Sequence, residues 1–82
     1  MVQKFKKKIL NYTVIFDPAK EGGFVVHVPA LPGCHTQGET LDDAYKMAQD
    51  AILGYIRVLQ DLKEEIPKES ETSIIAKIPV KV

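Results

Sequence analysis

Three side chains in this chain are of the kind that bind metals or attack electrophiles: His27, Cys34 and His35. A zinc site takes three or four convergent Cys, His or carboxylate ligands. Cys34 and His35 are adjacent, so on an extended backbone they point to opposite faces and only one of them shares a side with His27. Two ligands at most is too few, and no metal site is expected. The thiol reads as a small apolar filler beside a proline corner rather than as a nucleophile. Carboxylates offer the next chemistry. Hydrolysis of the two-metal type needs several acids converging on a pair of ions. Asp43 and Asp50 fall on a helical stretch, Asp17 stands at the end of a strand-like one, and the apolar stretch from Ser73 to Val82 holds no acid. The expectation is a chain without catalysis and without a cofactor. Lys4, Lys6, Lys7 and Lys8 form a basic entry segment. Such a run can hold a nucleic acid weakly, in a salt-sensitive way, but Phe5 is the one aromatic among them to stack on a base. Lysines beside a sheet margin also deter edge-to-edge association. The solvated reading is preferred to the nucleic-acid contact.

These residues must be positioned by a small scaffold. Eighty-two residues make one domain, residues 1–82, with its core from about residue 8 and a basic extension before it. No apolar run approaches the roughly 20 residues of a membrane span. The lysines are followed by the strand-like Ile9-Leu10-Asn11-Tyr12 rather than by the apolar centre of a leader peptide, so a cytoplasmic protein is expected. A single cysteine makes no internal disulfide, which agrees with a reducing compartment. Net charge is zero but polarised: residues 39–71 carry nine acids against four bases. The acidic half suits a basic partner.

Periodicity predicts the elements. Leu10, Tyr12, Val14 and Phe16 alternate along a first strand from about Lys8 to Phe16. Asp17-Pro18 and Glu21-Gly22-Gly23 make a hairpin loop into a second strand, Phe24 to Val28. Pro29 ends it, Ala30-Leu31-Pro32-Gly33 turns the corner, and a short third strand spans Cys34 to Gln37. Thr40 caps a helix that should end near Lys63, with Leu41, Ala44, Tyr45, Ala48, Ile52, Tyr55, Leu59 and Leu62 as its apolar stripe. Gly54 inside it is read as a place where another group packs close. Ile74, Ala76, Ile78, Val80 and Val82 alternate along a fourth strand, with Pro79 pointing to an edge.

The predicted fold is therefore α+β in the order β-β-β-α-β: a three-stranded antiparallel meander, one long helix on one sheet face, and a fourth strand after the crossover. The other sheet face retains Ile9, Ile15, Val25 and Ile75 with no second helix to cover them. A core in a chain this short rarely supplies more than about 3–5 kcal/mol, and association is a common remedy. A homodimer or tetramer built on those four residues is expected.

The motifs Tyr12-x-Val14-x-Phe16, Gly22-Gly23-Phe24, Val28-Pro29-x-Leu31-Pro32-Gly33-Cys34, Thr36-x-Gly38-x-Thr40 and Ala44 come in an order and spacing that resemble the HicB-like antitoxin domain, from about Tyr12 to Pro67. The resemblance implies a truncated ribonuclease-H-like fold without nuclease function. It implies the inhibitory half of a toxin–antitoxin pair, whose partner is HicA, a small RNA-cleaving protein with a catalytic histidine that the antitoxin covers. Many members add a C-terminal DNA-binding segment. Here one predicted strand follows Pro67, so operator binding is not expected. Gly22, Gly23, Phe24, Pro29, Leu31, Pro32, Gly33, Cys34, Gly38, Thr40 and Ala44 read mainly as folding residues, the glycines and prolines serving as backbone punctuation. Asp42, Asp43 and Asp50 on the polar helix face are the candidate contacts for a basic toxin. The rival readings are an oligomeric nucleic-acid-binding or orphan binding module without a toxin, and a degenerate nuclease.

Overall fold

The computed structural model describes residues 9–69 and 74–82. Three short strands, β1 (Ile15–Pro18), β2 (Phe24–His27) and β3 (His35–Gly38), form an antiparallel meander in the order β1-β2-β3. A single long helix, α1 (Leu41–Asp61), follows and lies over β3 and β2. The α+β class and the three-strand meander ahead of a long helix match the sequence expectation. No helix among the described residues is long and apolar enough to cross a membrane.

Local chemistry accounts for each turn. In the first hairpin the Ala19 N–H donates to the Gly23 carbonyl at 2.9 Å and the Gly22 N–H to the Ala19 carbonyl at 3.1 Å. Gly22 and Gly23 stand at φ of 103° and 77°, a region L side chains avoid. The second connection is a tight corner: Leu31 N–H to Val28 O at 3.0 Å, Cys34 N–H to Leu31 O at 2.9 Å, and Val28 N–H to Cys34 O at 3.1 Å. Thr40 is extended, and its Oγ1 accepts from the Asp43 N–H at 3.0 Å, so the predicted cap is in place. Gly38 differs from expectation, because its need is steric rather than conformational. A Cβ there would stand 2.4 Å from the Ala44 nitrogen and 2.6 Å from its Cα.

The core has two connected parts. Val26 packs with Ala44 and Ala48, flanked by Val14, Phe16 and Phe24. Val28, Leu31 and Cys34 pack under Tyr12, Ala51, Ile52 and Tyr55. Small residues at Ala44 and Ala48 bring the helix axis close to the sheet, and the Pro32 carbonyl accepts from the Tyr55 hydroxyl at 2.8 Å.

Four expectations need correcting. The first strand begins at Ile15 rather than Lys8 and continues through Asp17 and Pro18, because its ladder follows β2, and the register that pairs Ile15 with His27 would set Thr13 against Pro29, where β2 has already turned away. Among the described residues no fourth strand forms: residues 74–82 carry no regular structure and are exposed, and Ser73, where the strand was expected to begin, lies outside the described residues. The helical stripe is only partly covered, with Leu41, Tyr45 and Leu62 exposed. Twenty-one helical residues span roughly 31 Å, whereas a four-residue strand reaches only about 13 Å. Gly54, finally, faces open space, with nothing within 4 Å of an added Cβ.

Candidate protein-binding surface

Helix α1 carries the candidate toxin contacts on its solvent side. Asp42, Asp43 and Asp50 are all exposed. Asp42 and Asp43 occupy its first turn, where the positive end of the helix dipole favours carboxylates. Asp43 and Asp50, seven residues apart, lie on one stripe of the helix, with Lys46 between them. The outcome is an acidic ridge that leaves the core untouched.

The opposite flank of α1 is apolar and unfilled. Because the helix sits over β3 and β2, an open groove of about 970 Å³ remains between it and the chain leading into β1. Leu10, Tyr12, Val14 and Phe16 form one wall; Ile52 and Ile56 belong to the other. At its end the chain leaving the helix is clasped to the chain entering the sheet. The Tyr12 hydroxyl donates to the Pro67 carbonyl at 2.7 Å, while the Thr13 N–H and hydroxyl donate to the two oxygens of Glu69. These two Thr13 hydrogen bonds, the hydroxyl's first, hold the Glu69 carboxyl below the usual glutamate range. Burial, with the Glu69 charge adding to it, pushes the Tyr12 phenol upward. Nothing local in the sequence marks this clasp, whose partners are 55 and 56 residues apart.

The groups with possible chemistry are dispersed. Cys34 is buried in the core, and burial raises its thiol pKa, the opposite of what a nucleophile needs. His27 and His35 face each other across β2 and β3 on the sheet face away from the helix, where His27 Nε2 also lies 3.7 Å from Asp17 Oδ2. Among the described residues no group of three or more His, Cys, Asp or Glu could hold a metal ion. Asp17 and Asp43 lie on different elements, and neither belongs to such a cluster among the described residues.

The remaining predicted site residues are divided. Ile15 and Val25 lie in the sheet on the face away from α1. Ile9 lines the groove instead, and Ile75 lies in the exposed 74–82 segment. Lys4, Lys6, Lys7 and Lys8 fall outside the described residues.

Comparison with known proteins gives a consistent answer. The family model described as a HicB-like antitoxin of a bacterial toxin–antitoxin system matches residues 12–79. A UPF0150 protein of Thermoplasma acidophilum is 43% identical over 65 residues, covering 79% of this chain and 94% of that one. Antitoxin HicB of Escherichia coli is 38% identical over 61 residues, 74% of this chain but only 44% of the relative, so the chain spans less than half of that antitoxin's length. The crystal structure of the N-terminal domain of Burkholderia pseudomallei antitoxin HicB superposes with a TM-score of 0.64 at 34% identity, covering 72% of this chain and 69% of that one.

Proposed function

The chain belongs to the family of HicB-like antitoxins of bacterial toxin–antitoxin systems, and we propose that it neutralises a small HicA-type RNA-cleaving toxin by stoichiometric occlusion in the cytoplasm. The observation that carries this reading is the extent of the family match, residues 12–79, through every element of the fold. The surface is consistent with it. A toxin that grips RNA is basic, and the acidic ridge of Asp42, Asp43 and Asp50 offers the complementary charge. A non-enzymatic role is supported by a buried thiol and by carboxylates that form no metal-holding cluster among the described residues. An interface of standard size would bury about 800 Å² on each partner.

Self-association is part of the proposal. Ile15 on the open sheet face, the apolar groove beside β1 and the exposed apolar side chains of residues 74–82 are surface that a second copy would cover.

The test is co-expression with a HicA-type toxin, taken first from any small basic reading frame beside the gene for this chain. The expected result is rescue of growth, a purified complex, and RNA cleavage that titrates to zero at a fixed ratio of antitoxin to toxin. Unrelieved cleavage at tens of micromolar antitoxin, with no complex on a sizing column, would sink the reading.

A further inference from the structure

Residues 74–82 have the composition of a strand and no strand beside them. Ile74, Ile78, Val80 and Val82, alternate residues of one face, are exposed by 88%, 79%, 76% and 118%. Ile75, Lys77, Pro79 and Lys81 occupy the other face of the same segment.

Among the described residues no strand pairs with the outer edge of β1. The Ala19 N–H bonds to the Gly23 carbonyl, so in this antiparallel ladder Asp17 and Ile15 also turn their backbone groups toward β2. Phe16 and Val14 then turn theirs outward, and Pro18, of the same parity, has no N–H to leave unpaired. The side chains of Phe16 and Val14 point to the helix side, into the groove. A strand added antiparallel at this edge would have the residues that bond to Phe16 and Val14 facing the groove as well. If those residues are Ile74, Ala76, Ile78, Val80 and Val82, those five apolar side chains enter the groove and Ile75 stays on the far face. Lys77 and Lys81 face the far side of the sheet, and the missing N–H of Pro79 points to solvent, where it costs nothing.

The molecule's own tail does not take that place. Glu69 is held at Thr13. In the single copy residues 74–82 are exposed throughout and form no ladder with their own β1.

We propose that Ile74–Val82 of one copy pairs antiparallel with the outer edge of β1 in a second copy, filling the groove between residues 9–16 and α1, and that the exchange is reciprocal about a two-fold axis. A closed two-fold arrangement satisfies both tails and both edges at once. The proposal rests on the self-association reading above and specifies the segments that carry it.

The test uses the full chain. One preparation carries a nitroxide on Lys77→Cys in a Cys34→Ala background; the other is nitrogen-15-labelled and unmodified, and the two are mixed and re-equilibrated. Loss of the Val14 and Phe16 amide signals in the labelled copies, with sedimentation as a dimer, is the expected result. Ile78→Asp with Val80→Asp should weaken the dimer by 100-fold or more. Both positions are exposed in the single copy, so its amide spectrum should keep its dispersion. A dimer that survives these substitutions and shows no broadening between copies overturns the exchange while leaving self-association standing. A monomer whose Val14 and Phe16 signals are lost only when its own tail carries the label overturns both. A β1 edge occupied only after a toxin is added also overturns the exchange, but leaves the antitoxin reading intact.

Discussion

Glycines 38 and 54 look alike in the sequence and are opposite in the structure. At Gly38 an added Cβ would meet the backbone of Ala44 at 2.4 Å, and backbone at a helix start cannot step aside. Gly38→Ala should therefore destabilise by at least about 2 kcal/mol, in the range of overpacked cores. Gly54 is helical, exposed and surrounded by open space, so Gly54→Ala should stabilise by about 1 kcal/mol through helix propensity alone. Urea unfolding of the two variants beside the parent chain measures both, and equal signs would refute the assignment. The sequence shows where each glycine stands relative to the helix but not what surrounds it, because proximity is set by elements far apart in the chain. By contrast Gly22, Gly23 and Gly33 were legible as turn residues, since a positive φ is a local demand and each carries one.

Among the elements, α1 was readable at its start and misread in its extent. Its cap is a contact between residues three apart, visible as Thr40 followed by acids. Thr40→Ala should cost about 1 kcal/mol by removing the acceptor for the Asp43 N–H, measurable by thermal or urea unfolding; a Thr40→Ser chain should keep most of it. The stripe was also legible, but its cover depends on strand lengths that end where Pro29 ends β2. The clasp between Thr13 and Glu69 was invisible for a related reason. Once β2 has turned away, the Thr13 N–H lacks a ladder partner, and an ordinary-looking glutamate supplies one. The folded carboxyl titrates below its unfolded value, so the unfolded chain takes up the proton first as pH falls. The clasp is accordingly present above the ordinary glutamate pKa and lost as pH drops through the lowered one. Urea midpoints followed from pH 7 to 3 should fall more steeply for the parent chain than for Glu69→Gln. Parallel curves would show that the clasp contributes nothing.

Across the whole molecule, zero net charge conceals a separation that matters for partners. Nine acids stand against four bases between residues 39 and 71, and α1 itself carries four acids and two bases, while the candidate exchange tail carries Lys77 and Lys81 and no acid. Alternation in that tail was legible, yet a strand pattern encodes the wish for an edge and not whose edge it takes. The same limit applied to the toxin surface, because an exposed acidic ridge reads as solvated until a basic surface meets it. If the ridge guides the toxin, its effect belongs mainly to the encounter rate, since rim charges act through long-range attraction that salt screens over a Debye length of about 8–10 Å. Asp42→Asn with Asp50→Asn leaves the Thr40 cap and the core residues alone. In stopped-flow binding at 20 mM salt this variant should associate several-fold more slowly than the parent. By about 0.5 M salt the two should converge, with dissociation rates little changed throughout. A variant whose loss lies in dissociation, equally at both salts, would place these aspartates inside a packed contact instead, and one with no loss would remove the ridge from the toxin interface.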